Sequence, residues 1–133
     1  MSEFKRGVLD TSVVIDLKKI DRDLLPGDLA ITAITLAELT AGVGYATDAL
    51  DRFARQHALQ AAEATFDVLP FDTDAARIYG QADLLVRLAG RKPRGHAPDL
   101  FIASIAAAND LPLLTRNPKD FIGLESLVTV IPV

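Results

Sequence analysis

The chain has 133 residues, half of them hydrophobic, a formal net charge of −4 and no cysteine. That length suits one domain over residues 1–133, whose core buries about two-thirds of the unfolded surface, and the apolar content argues against disorder. Without cysteine there are no disulfides or thiolate metal sites, and the acidic balance argues against a generic nucleic-acid binder, whose affinity comes from Lys and Arg displacing counterions.

Strand-like runs alternate with helical patterns along the chain. Residues 7–10 read as a short strand, and residues 11–19 follow as a helix. After the turn signal Pro26-Gly27-Asp28, residues 29–32 form a second strand and residues 33–42 a helix. Residues 47–65 carry a long helical pattern with Leu50, Phe53, His57 and Ala61 on one face. A third strand covers 66–70, and a helix covers 74–89 with Ile78, Ala82, Leu85 and Ala89 on one stripe. Periodicity alone leaves both faces open as core or interface. Residues 98–109 form a helix apolar nearly all round, and strands at 112–115 and 127–133 close the chain.

This alternation predicts a three-layer α/β/α sandwich with a mostly parallel sheet of about five strands. Ligands of such sheets bind beyond the C-terminal strand ends, at the point where strand order reverses. The longest charge-free run, residues 100–109, is far short of the ~20 residues of a membrane span, and the first residues lack the apolar core of a secretion signal. The expected location is the cytoplasm.

Three carboxylates stand beside apolar runs. Asp10 ends the first strand and is followed by Thr11 and Ser12. It suits a helix cap as well as a ligand. Glu38 is the only charged residue between Asp28 and Asp48. It either occupies an exposed stripe or needs a cation or a proton, because bare burial is costly. Asp99 opens the most apolar helix after Pro98, where the helix dipole favours it. If strand four lies next to strand one, the polar cluster Thr115, Arg116, Asn117 and Asp120 faces Asp10. Gathered carboxylates repel, so a divalent cation is expected, and oxygen ligands suit Mg²⁺ or Mn²⁺ rather than Zn²⁺. Such a site serves in-line phosphoryl displacement.

The ordered set VLDTSVVIDL, ITAITLAELTAGV, FDTDAARIYGQ and HAPDLFIASIAAANDLPLLTRNPKDF resembles PIN-domain ribonucleases, most closely VapC-like toxins of toxin–antitoxin pairs. The resemblance covers nearly the whole chain. It implies an Mg²⁺-dependent endoribonuclease, with Mn²⁺ able to substitute. Asp10, Glu38 and Asp99 would be the core acids, Asp10 and Asp99 direct metal ligands, and Glu38 a ligand through water or a water-positioning group. Ser12 and Thr115 would support them. Many relatives carry a fourth acid where this chain has Asn117, which implies one resident ion and a second arriving with substrate. Asp120 is read as a surface residue ahead of a buried Phe121, with substitution for the fourth acid as the alternative. The family also implies a small antitoxin that blocks the site, and a homodimer.

Arg94 and Arg116 are candidate RNA contacts, since Arg matches phosphate oxygens bidentately, and the run Arg87, Arg91, Lys92, Arg94 is where a polyanion would meet the chain. His96 could contact phosphate or move a proton, but a lone His in a basic loop is more often solvated; His57, Tyr45 and Tyr79 read as packing residues. A receiver-type signalling module would place its phosphoacceptor in the stretch Phe71-Asp72-Thr73-Asp74, but it pairs acids after strand one and needs a Lys near strand five, both lacking here. The more serious rival is a PIN-like module that binds RNA or an antitoxin without cutting.

Overall fold

The computed structural model describes residues 3–133. Five strands, β1 (Arg6–Leu9), β2 (Asp28–Thr32), β3 (Asp67–Leu69), β4 (Leu113–Thr115) and β5 (Val130–Pro132), form one sheet in the order β3-β2-β1-β4-β5. Every pairing is parallel. The helices are α1 (Thr11–Ile15), α2 (Ala33–Val43), α3 (Ala49–Thr65), α4 (Thr73–Leu88) and α5 (Ala97–Ala108). The expected layers and parallel sheet are present. Strand order reverses between β1 and β4, so the crevice at their C-terminal ends is the place for a ligand. Asp72 and Asp74 sit after β3, an edge strand two places from β1, and Asp72 caps α4 through the Ala75 amide (2.9 Å). That placement leaves the receiver reading without support.

Alternation along the two central strands builds two cores. Val8 and Leu113 point to one face, where Ala82 and Val86 of α4 and Leu100, Ile102, Ala103 and Ala106 of α5 cover them. Leu9 and Leu114 point to the other, against Val13, Ile31, Ala62 and Phe66. A strand buried on both faces has no polar position until its end. The first side chain free of that demand is residue 10.

One detail differs from the sequence expectation, and one face left open there can be placed. The helix expected over 11–19 stops at Ile15, and two short 3-10 turns, Leu17–Lys19 and Arg22–Leu24, carry the chain to β2. The consecutive β-branched residues Val13, Val14 and Ile15 hold a helix poorly. Buried Ile20 and Leu25 then pin the irregular segment to the core. The stripe Leu50–Phe53–His57–Ala61 of α3 also faces outward: Leu50 is 80% and Phe53 71% exposed, while Leu59 and Ala62 supply the packing. On α4 the buried positions are Ala75, Ala82 and Val86, and Ala89 is exposed.

Gly7 marks the tightest approach in β1. A Cβ there would lie 2.6 Å from Leu114 Cδ1 and 3.1 Å from Pro26 Cγ. Gly7→Ala should therefore force the buried Leu114 side chain to repack and cost about 1–3 kcal/mol. Thermal unfolding would show a lowered midpoint, and an unchanged one would mean that Leu114 and Pro26 yield without loss.

Candidate active site

Asp10 stands at the end of β1 with only 5% of its surface exposed. Its carboxylate is fixed by three donors. The Thr11 amide donates to Oδ1 (2.8 Å), and the hydroxyls of Ser12 and Thr115 both donate to Oδ2 (2.8 Å each). The hydroxyls are held in turn: the Arg116 amide donates to Ser12 Oγ (3.2 Å) and the Asn117 amide to Thr115 Oγ1 (3.0 Å). With the Asp10 amide bonded to the Leu114 carbonyl (2.9 Å), the loop after β4 is stitched to the end of β1. Asp10 is both the cap of α1 and a carboxylate aimed at the crevice.

Glu38 lies on the exposed side of α2, so the sequence contrast of one acid in an apolar helix reflects a face turned to solvent. It is nonetheless held. Thr11 Oγ1 donates to Glu38 Oε1 at 2.7 Å, and Thr35 Oγ1 lies 2.9 Å from Thr11 Oγ1.

Asp99 occupies the first turn of α5. Its surroundings oppose its charge. Burial and the fields of Asp10, Asp120 and Glu38 push its carboxyl up to about 7, and only Arg91 pulls the other way. Among the described residues no hydrogen-bond donor reaches it; the nearest partner is His96 Nδ1 at 3.8 Å. His96, Asp99 and Asp120 each present a ligand atom within 4.8 Å of the others. Asp120 is thus beside the crevice and half-buried, not on the open surface as read from sequence. The cause is the 3-10 turn Pro118–Phe121, which folds the loop back, with Arg91 Nη1 donating to the carbonyls of Asp120 (3.2 Å) and Ile122 (3.0 Å). The acidic cluster is therefore one that can hold a divalent metal.

The pattern of the family described as "PIN domain" matches residues 7–124, which contain all of these carboxylates. The chain belongs to the PIN-domain family. It is 38% identical over 127 residues to Ribonuclease VapC5 of Mycobacterium tuberculosis, covering 93% of this chain and 91% of that one. It is 31% identical over 124 residues to Ribonuclease VapC of Rickettsia bellii, covering 90% and 91%. Among solved structures, VapBC-5 of Mycobacterium tuberculosis, a member of the VapBC family of toxin–antitoxin systems, superposes with a TM-score of 0.87 over 98% of this chain and all of that one, at 38% identity.

Around this PIN-domain centre the basic residues divide. Arg116 pairs with Asp16 (Nε–Oδ2 3.4 Å), and its Nη1 donates to the Val133 carbonyl (3.2 Å), so its guanidinium braces the last strand. Arg87 pairs with Asp83 (2.9 Å) and Arg91 holds the loop at Asp120. That leaves Lys92 and Arg94 exposed in the segment before α5. Asn117 is exposed and contributes its backbone amide to Thr115, as described. Tyr79 stacks on Phe101 (4.7 Å between ring centres) with Phe71 edge-on, while Tyr45 is exposed. Sequence reasoning missed Thr35, and it placed Arg91 only in a basic run without its hold on the loop at Asp120. A buried threonine and an arginine that bonds carbonyls have no linear signature, and both act across more than twenty residues of chain.

Proposed function

We propose that this protein is a metal-dependent endoribonuclease, the toxin of a toxin–antitoxin pair. The observation that carries the reading is Asp99, a half-buried carboxylate with no hydrogen-bond donor among the described residues, lying in the fields of Asp10, Asp120 and Glu38. An enzyme of α/β topology has no structural use for that repulsion; a cation removes it. Family membership and similarity to proteins named as ribonucleases give the substrate class.

The donor set fits a hard cation. Asp10 and Asp99 would hold Mg²⁺, with Asp120 as the fourth acid in place of Asn117. His96 adds one nitrogen, which suits Mn²⁺ as a substitute. When bound, the ion lowers the pKa of the attacking water and offsets charge on the phosphate during in-line displacement. The chain's own residues do the rest. Ser12 and Thr115 lock Asp10 Oδ2, Glu38 orients the attacking water, and Lys92 and Arg94 draw the RNA backbone toward an otherwise acidic crevice.

The partner is a small antitoxin, as in the VapBC complex that this chain resembles. A groove of about 600 Å³ runs from Thr11 and Glu38 between α1, α2 and α3, with Val14, Ile15, Leu39, Ala54 and Ala58 along it. An antitoxin segment seated there reaches Glu38, and Ile15, 69% exposed, offers it an apolar contact. Ile15→Glu should weaken antitoxin affinity at least tenfold, about 1.4 kcal/mol, and leave cleavage by free toxin unchanged. Calorimetric titration of both proteins checks this; equal affinity would place the antitoxin elsewhere. The chain would act in the cytoplasm, where its RNA lies, as a homodimer testable by light scattering. Among the described residues no helix is long and apolar enough to cross a membrane.

The deciding experiment is cleavage of a mixed cellular RNA pool by antitoxin-free protein, with Mg²⁺ or Mn²⁺, with chelator, and with Asp99→Asn. Discrete cuts that need both metal and Asp99 are expected. Folded protein that binds RNA but never cuts would replace this reading with the binding-only rival.

A further inference from the structure

We infer that Thr35 and Thr11 form a one-way hydroxyl relay that sets the orientation of Glu38. The inference rests on the reading of Glu38 as part of the nuclease site. Thr35 lies in the first turn of α2 and is fully buried. Its amide donates to the Thr32 hydroxyl (3.1 Å), so the end of β2 fixes its position. Its own hydroxyl lies 2.9 Å from that of Thr11, which donates to Glu38 Oε1 at 2.7 Å.

The direction follows from the count of protons. An ionised Glu38 only accepts, so the single Thr11 proton must point to Oε1. Thr11 can then only accept from Thr35, so the Thr35 proton points outward. The chain runs from a buried anchor to an exposed acid. It also joins two elements, since Thr11 opens α1 directly after Asp10 while Thr35 and Glu38 sit on successive turns of α2. Glu38 is exposed and carries no ion pair among the described residues. A free glutamate of that kind samples many rotamers; the relay selects one and leaves Oε2 for the crevice. Thr11 and Thr35 are positioning residues here, since neither is assigned to RNA or metal.

Glu38→Gln, Thr11→Val, Thr11→Ser, Thr35→Val and the Thr11→Val/Thr35→Val pair test this. Each is read by single-turnover cleavage, by RNA affinity in chelator and by thermal melting. Valine keeps the threonine shape, so a change of rate without a change of melting reports orientation. Glu38→Gln should slow cleavage about 100-fold and Thr11→Val about tenfold, with RNA affinity unchanged; Thr11→Ser, which keeps the hydroxyl, should stay within about twofold of wild type. Thr35→Val should fall between, and the pair should be no slower than Thr11→Val alone, because both substitutions break one path. If Thr35→Val loses stability, the half-exposed Thr11 variants carry the same test. Wild-type rates for Thr11→Val, or strictly multiplicative losses in the pair, would overturn the relay while Glu38→Gln remained slow. A wild-type rate for Glu38→Gln would instead overturn the role given to Glu38.

Discussion

Asp99→Asn should abolish metal-dependent cleavage and at the same time make the metal-free protein more stable at neutral and alkaline pH. The sign follows from the raised carboxyl. An unfolded Asp titrates near 3.8, whereas Asp99 in the fold titrates at about 7. Below the first value both states are protonated and the residue costs nothing. Between the two the unfolded chain ionises and the folded one does not, so stability falls as pH rises, and above about 7 the full penalty stands. The shift corresponds to about 4 kcal/mol if taken whole. Solvent screening at a side chain 25% exposed reduces this to about 1–2 kcal/mol. The helix dipole, which favours a carboxylate in the first turn, returns about 0.5 kcal/mol and does not reverse the sign. Melting with chelator should show the Asn variant level with wild type at pH 4 and about 3–6 °C above it at pH 8. Adding Mg²⁺ should close the gap, because only the wild type gains from binding. A variant that melts below wild type at pH 8 would mean that Asp99 serves the helix start and not a metal.

Asp10→Asn should also abolish cleavage, but with the opposite effect on the fold. The same chemistry is lost, yet Asp10 is surrounded by donors where Asp99 is surrounded by acids. An amide group at the position of Oδ2 would meet the hydroxyl protons of Ser12 and Thr115, and both hydroxyls would have to turn away from it. Each also accepts from a loop amide, so turning loosens the 115–117 loop. Losing two hydrogen bonds to a buried charged acceptor should cost about 2–4 kcal/mol. Paired melts of the two variants at pH 8 check the contrast. Movement of both in the same direction would show that the local donors do not decide the outcome.

Asp10 and Asp99 stood out in the sequence because each adjoins an apolar run where burial gives a carboxylate no cheap place, whereas Glu38 stood out in an apolar helix and lies on its exposed side. The sheet was legible for a related reason: β1 and β4 are apolar on both faces and stop at a polar residue. Linear spacing failed where backbone direction changes within a few residues. It read Asp120 as a surface residue ahead of Phe121, but the 3-10 turn at Pro118–Phe121 brings a carboxylate oxygen of Asp120 within 4.8 Å of one of Asp99. It offered Arg116 as an RNA candidate because it flanks the acidic site, while its side chain reaches Asp16 and Val133. The apolar stripe of α3 stayed open as core or interface because periodicity reports a face without saying what covers it. Leu50 and Phe53 stand open, and Leu59 and Ala62 make the contact.

The hydrogen bond from Thr115 to Asp10 spans 105 residues of chain. During synthesis β1 emerges early, yet its second neighbour in the sheet, β4, is made near the end. Until then Asp10 lacks one of its donors, and the segment that brings Asp120 to Asp99 does not yet exist. A nascent chain on the ribosome therefore carries Asp10 without the late residues that surround it in the folded protein. Local contacts close first and distant ones last, so the ability to cut RNA arrives only as the last strands dock. For a protein that destroys RNA, the order of translation itself delays the harm.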